Sequence, residues 1–182
     1  SPDRSSLLEQ LQSQSIKEIC NTDWKDLTIE RLPEIPDFTL LVGWTGQVAI
    51  TDSLIQATEK KRKVETDSVF YKEFLAKSHA IVQGLQSAWN QQEIPALKEG
   101  IRANRTLLNE FAQVMQLEIE TPALQTLCNL AEQNGACAKT SGAGGGDCGI
   151  CFTQNETQRQ QIETQWAKAQ IQVLPLSIAE AW

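Results

Sequence analysis

The sequence predicts an α+β fold in which an antiparallel sheet of about four strands packs against several helices. Three observations lead there. Strand-length alternating or apolar runs lie near both ends of the chain, within residues 27–43 and 148–174. Between them stand long stretches whose apolar residues recur at helical spacing. The resulting order is helix, two strands, several helices, strand, helix, strand, with no internal repeat and no linker, so one domain over residues 1–182 is the economical reading.

Taken in order, Leu7, Leu8, Leu11 and Ile19 fit one apolar stripe of a first helix, with Ser1 or Asp3 available as its cap. Leu27–Leu32 alternates like a strand, Pro33 and Pro36 bracket a turn, and Phe38–Gly43 reads as a more buried strand, so the pair predicts an antiparallel hairpin. Helical spacing returns from about Ile50 to Lys63, where the basic run Lys60–Lys63 suits a solvated helix end. A long helix follows from about Asp67 to Gln91, with Phe70, Phe74, Ile81, Leu85 and Trp89 on one face. The next, from about Pro95 to Met115, has Leu97, Ile101, Asn104, Leu108, Phe111 and Met115 along its seam. Thr121-Pro122 starts another helix, because Thr caps and Pro suits the first helical position, and Asn134-Gly135 ends it. Cys148–Thr153 reads as a strand, Thr157–Ala169 as a helix and Ile171–Leu174 as a final short strand.

Composition narrows the function classes. The 182 residues are 41% hydrophobic and 21% charged, enough apolar content for a substantial core. A net charge of −7 disfavours nucleic acid and membrane surfaces, both anionic, so neither is an expected partner. No apolar run approaches the roughly 20 residues that span a bilayer. Five cysteines at irregular spacing argue against a disulfide framework and for a reducing, cytoplasmic setting. Cys148 and Cys151 are an odd number of residues apart on a strand, so their side chains point to opposite faces, and no metal site is expected. His79 is the only histidine and lies within a helix, without support for histidine-based catalysis.

The most informative stretch is Ala138-Lys-Thr-Ser-Gly-Ala-Gly-Gly-Gly-Asp-Cys-Gly149. Gly142, Gly144, Gly145, Gly146 and Gly149 cost backbone entropy, acceptable where the chain needs positive φ or must approach something closely. Successive amides in such a turn can converge on an anion. Ser141 and Thr140 add hydroxyls and Lys139 a cation. A flexible surface loop is the plainer alternative. Against it, the stretch sits tightly between a capped helix and an apolar strand, and it holds Asp147 among its glycines. It is not a Walker A loop, because no Gly-Lys-Ser/Thr follows, nor a dinucleotide fingerprint, because it leads into a strand.

Lys139-Thr-Ser-Gly-Ala-Gly-Gly-Gly-Asp-Cys-Gly-Ile150 resembles the third motif of the GHMP kinases, in the form seen in phosphomevalonate kinases. Leu41-Val-Gly-Trp-Thr-Gly46 resembles the family's strand and turn ahead of its helical region, and Ile119-Glu-Thr-Pro122 the start of the helix leading into the loop. The resemblance covers nearly the whole chain. It implies a two-lobed fold with the active site between the lobes. The implied reaction transfers the γ-phosphoryl group of ATP, with Mg2+, to the phosphate of phosphomevalonate, giving diphosphomevalonate for isoprenoid synthesis. Phosphoryl transfer between polyanions is governed by positioning and electrostatics, which suits a fixed set of amides. By resemblance, Ser141, Gly142, Ala143 and Gly144 supply donors near the transferring or acceptor phosphate, while Gly145 and Gly146 shape the loop. Asp147 either holds the loop by accepting backbone N–H bonds or touches substrate, the former being favoured.

The resemblance also exposes a gap. The family's Pro-x-x-x-Gly-Leu-Gly-Ser-Ser segment that cradles ATP has no counterpart in residues 1–182. The catalytic Asp and Lys are likewise expected upstream. The expectation is a C-terminal lobe that is inactive alone and has an N-terminal lobe as its partner. Two alternatives remain: another GHMP enzyme such as a mevalonate kinase, against which the Asp147-Cys148 ending argues, and a non-catalytic binding module of the same fold. Four further residues are cleft candidates. Trp44 and Thr45 end a strand between two glycines, where sites often lie, although Trp44 also suits core. Asn104 is polar on an apolar seam, with Arg105 beside it as a phosphate ligand, the plainer reading being a buried Asn bonded to backbone.

Overall fold

The computed structural model describes residues 15, 17–18, 31–36, 38–46, 69–142 and 144–176. The chain divides into two compact units, Ser1–Pro33 and Glu34–Trp182. In the first, Ser15 and Glu18 form a reciprocal capping box: the Glu18 amide donates to Ser15 Oγ at 3.3 Å, and the Ser15 amide to Glu18 Oε2 at 2.8 Å. Most of the expected first helix, the first four residues of the expected strand at 27–32, and the expected helix at 50–63 lie outside the described residues. Arg31 and Leu32 belong to no strand.

The second unit follows the expected order closely. Strand β1 (Thr39–Trp44) precedes helices α1 (Val69–Asn90), α2 (Ile94–Met115) and α3 (Pro122–Gln133). Strands β2 (Cys137–Thr140) and β3 (Cys148–Thr153), helix α4 (Glu156–Lys168) and strand β4 (Gln172–Leu174) complete it. Local chemistry explains the boundaries. Pro95 occupies the first turn of α2, and Gln116 ends that helix in the left-handed region at φ 49°. Thr121 Oγ1 accepts the Leu124 amide to open α3, and Asn155 Oδ1 accepts the Gln158 amide at 2.9 Å to open α4. Thr121 thus does what its position predicts, while the helix expected from Thr157 starts one residue earlier, at Glu156, behind the Asn155 cap.

The four strands form one sheet in the order β2-β3-β1-β4, antiparallel throughout. Strand β2 was not expected. Its residues lead directly into the glycines and read as part of the loop, but Cys137 pairs with Phe152 and Thr140 with Gly149. The glycine-rich segment is therefore the connection of a β2–β3 hairpin, not a link from helix to strand.

Strand pleat sends alternate side chains to two different cores. Leu41, Ala138 and Cys151 join Leu127, Cys128, Ile162, Trp166 and Ile171 in one cluster with α3 and α4. Cys137 and Phe152 join Phe38, Ala88, Leu97 and Ile101 in a second, with α1 and α2. In that second core Phe38 stacks on Phe152 at 4.8 Å, and the Trp89 ring stands edge-on to both. A third cluster joins α1 to α2 through Phe74 stacked on Phe111 at 4.3 Å, and it encloses Met115 and Ile119. No described helix is long and apolar enough to cross a membrane.

The first core depends on a pair of glycines. Gly43 and Gly149 face each other across β1 and β3. A Cβ on Gly43 would come within 2.8 Å of Leu127 Cδ1 and of Trp166 Cζ3, and one on Gly149 within 2.6 Å of Leu127 Cδ2. Both contacting side chains are fully buried, and Trp166 Nε1 donates to the Leu127 carbonyl at 3.0 Å. The sheet is bare where α3 and α4 press onto it. We expect Gly43→Ala to lower stability by about 1–3 kcal/mol through overpacking. Gly84→Ala, in the exposed middle of α1 with open space around it, should raise stability by about 0.5–1 kcal/mol through helix propensity. Urea denaturation of both variants checks the pair of signs.

Candidate functional site

The hairpin connection Ser141–Asp147 is held at three points. At its neck the Ser141 amide donates to the Cys148 carbonyl at 3.0 Å, continuing the β2–β3 ladder. At its tip the Gly145 amide donates to the Ile119 carbonyl at 2.8 Å. At its exit the Asp147 carbonyl accepts both the Thr45 amide and Thr45 Oγ1, each at 2.9 Å. Thr45, at the end of β1, is thus brought to the loop as a clamp, and Trp44 lies beside it, half-buried and opposite Cys148.

The backbone at the tip requires glycine. Residues 144–147 all have positive φ, at 79°, 79°, 130° and 63°. A Cβ on Gly144 would meet the Ile119 carbonyl oxygen at 2.2 Å, so even a residue that tolerated the dihedral would collide with backbone. The amides of Gly142, Gly144, Gly146 and Asp147 have no hydrogen-bond partner among the described residues. Gly144 and Gly146 are buried, Gly145 partly so, while Ser141 and Gly142 are exposed. Thr140 Oγ1, 2% exposed at the root of the loop, also has no partner among the described residues. Buried donors of this kind ordinarily find one. Ala143 lies outside the described residues.

Lys139 is half-buried, and its Nζ donates to the Thr140 carbonyl at 2.7 Å. Burial holds its ammonium below the usual lysine value. Asp147 accepts the Thr45 backbone N–H through its carbonyl, while the only partner of its carboxylate among the described residues is the Cys148 thiol at 3.7 Å. Cys148 and Cys151 occupy opposite faces of β3, as their spacing requires. Burial pushes the Cys128 thiol up to about 12, the Cys137 thiol to about 11 and the Cys151 thiol higher still, which leaves these sulfurs poor nucleophiles.

Among the described residues neither α2 candidate has a hydrogen bond to the loop. Asn104 is half-exposed at the edge of its seam, where Leu107 rather than Leu108 is the buried leucine. Arg105 does not present a free phosphate fork. Its side chain is 12% exposed and is bound by Glu120 through Nε and Nη2, by Glu132 through Nη1 at 2.9 Å, and by Asn129 through Nη2 at 2.9 Å. Glu120 also accepts Asn109 Nδ2 at 2.7 Å. Burial alone would raise the Glu120 carboxyl, but hydrogen bonds from Arg105 and Asn109 and the charge of Arg105 hold it below its ordinary value. Ile119 and Glu120 were placed by the sequence only at the start of the helix leading into the loop, not in the site itself. An acidic residue just ahead of a helix is ordinary, and a backbone carbonyl carries no sequence signal at all.

The chain carries the C-terminal domain of the GHMP kinases: residues 90–172 match the family model described as GHMP kinases C terminal. It is 33% identical over 180 residues to the phosphomevalonate kinase of Streptomyces sp. (strain CL190), an alignment that takes in 98% of this chain and 48% of the relative. Among solved structures it superposes on the Lin0012 protein from Listeria innocua with a TM-score of 0.83 and 32% identity, over 95% of this chain and 48% of that one. It superposes on the Streptococcus pneumoniae phosphomevalonate kinase, in complex with phosphomevalonate and AMPPNP, with a TM-score of 0.76 and 27% identity, over 94% and 48%. The chain spans about half the length of the relatives it matches.

Two expectations follow. Gly144→Ala should leave the sheet folded but detach the loop tip from Ile119, seen as loss of the Gly145 amide's protection in hydrogen exchange; an unchanged Gly145 would contradict the geometry. Because Glu120 titrates below its ordinary value of 4.5, its contribution to stability is complete above that pH and is lost as pH falls through the lowered value. Glu120→Gln should therefore flatten the acid limb of the stability–pH curve, measured by denaturation from neutral into acid conditions.

Proposed function

We propose that this chain is the C-terminal part of a phosphomevalonate kinase, which transfers the γ-phosphoryl group of ATP to the phosphate of phosphomevalonate to give diphosphomevalonate. The observation that carries the reading is the pinned hairpin, whose amides at Gly142, Gly144, Gly146 and Asp147 have no described partner. The 33% identity to a phosphomevalonate kinase supports the choice of substrate.

In this reading the loop works by preorganisation. The reaction brings two polyanions together, and fixed amide dipoles stabilise charge on the transferring oxygens without reorganising. Ser141, Gly142 and Gly144 line the phosphate side, Gly145 and Gly146 set the curve, and Thr45 and Ile119 hold it in place. Lys139 contributes a cation at the root of the loop. Arg105 has no direct part, because its donors are taken by carboxylates. Mg2+ accompanies the nucleotide. Among the described residues no group of three or more His, Cys, Asp or Glu could hold a metal ion. ATP is cradled by an N-terminal lobe supplied from sequence outside residues 1–182, together with the catalytic Asp and Lys.

The test is a coupled assay of ADP release by the full-length protein that contains this chain, with phosphomevalonate and with mevalonate as acceptors. Turnover of phosphomevalonate, with little on mevalonate, is expected. Preference for mevalonate would make it another enzyme of the family, and ADP release with neither acceptor would make it a binding module. Residues 1–182 alone should bind ATP weakly or not at all in calorimetry, and micromolar affinity would refute the division of labour.

A further inference from the structure

Among the described residues Glu120 is a tightly engaged carboxylate that the proposed reaction does not use. Its side chain is 5% exposed and takes bonds from Arg105 Nε, Arg105 Nη2 and Asn109 Nδ2. Its neighbours are equally committed. The Ile119 side chain is buried against Phe111 and Met115 of α2, and the Ile119 carbonyl receives the Gly145 amide. The Thr121 hydroxyl caps α3. The strap Ile119–Thr121 is thus fixed by α2 on one side and α3 on the other, and the tip of the glycine loop hangs from it.

We infer that Glu120 is a positioning residue for the glycine loop, with Arg105 and Asn109 as its holders: it fixes the peptide whose carbonyl receives Gly145, and so sets where the free amides of the loop point. The effect on rate rests on the kinase reading above, whereas the effect on loop order does not. The competing account is that Arg105 merely staples α2 to α3. The structure separates the two, because Arg105 reaches α3 through Glu132 and Asn129 independently of Glu120. Removing Glu132 weakens the staple and leaves the strap; removing the charge of Glu120 loosens the strap and leaves the staple.

The experiment compares Glu120→Gln, Glu120→Asp and Glu132→Gln in the full-length protein by amide hydrogen exchange and steady-state kinetics. Glu120→Gln should speed exchange at the Gly145 amide tenfold or more, with Ala138 and Cys151 in the sheet unchanged. It should lower kcat tenfold or more with a much smaller change in KM, the signature of donors that act in the transition state. Glu120→Asp, which keeps the charge, should recover part of both effects, and Glu132→Gln should show neither. Wild-type loop exchange in Glu120→Gln, or equal effects from Glu132→Gln, overturns the inference. If Glu120→Gln does not fold, Asn109→Ala, which removes one bond to Glu120, carries the same reading, and an unaltered loop in that variant also overturns it. A wild-type protein without activity on phosphomevalonate would sink the kinase reading, while the exchange measurement would still decide the positioning role.

Discussion

A single backbone hydrogen bond, from the Gly145 amide to the Ile119 carbonyl, ties the two halves of the candidate site together. It can form only because Gly144 lacks a Cβ and its neighbours accept positive φ. Around it the other restraints fall into place. The β2–β3 ladder fixes the neck of the loop and β1 fixes its exit through Thr45, while α2 and α3 fix the strap on which the tip rests. An electrostatic catalyst needs its dipoles set before the charge arrives, and a glycine-rich segment left to itself would be the least able to provide that. The surrounding fold supplies the rigidity that the composition lacks.

Much of the architecture was legible because its signals are local. Thr121-Pro122 announces a helix start through a hydroxyl cap and a proline suited to the first turn, and β3 carries its alternation over its full length. Strand β2 was not legible, since Cys137–Thr140 is short and its identity as a strand comes from partners on β3. The glycine loop could be recognised as special from composition, and Thr45 as a cleft candidate from its place at a strand end, but not as the residue that clamps the loop. The manner of anchoring could not be read. The loop is held by main-chain carbonyls of Ile119 and Asp147, which every residue type possesses.

Arg105 marks a boundary of a different kind. Beside a polar residue on an apolar seam, an arginine in a protein suspected of handling phosphates invites assignment as an anion ligand. Its guanidinium is instead occupied by two carboxylates, from Glu120 and Glu132, on different elements. Charge and residue type were read correctly, but the partner lies 15 residues along the chain and is brought close only by the turn between α2 and α3. Partly buried ion pairs stay favourable when hydrogen bonds satisfy the remaining donors and acceptors, and here Asn109 and Asn129 do so.

The bare patch formed by Gly43 and Gly149 places a constraint on how this protein can diverge. Leu127 and Trp166 fill the space that side chains on the two strands would occupy, so the four positions share one volume. A larger residue on either strand is tolerable only if a helix residue shrinks in the same lineage. Related sequences should therefore show the four positions drifting as a correlated set, while the surface of α4 around Gln160 and Gln161 varies without regard to them.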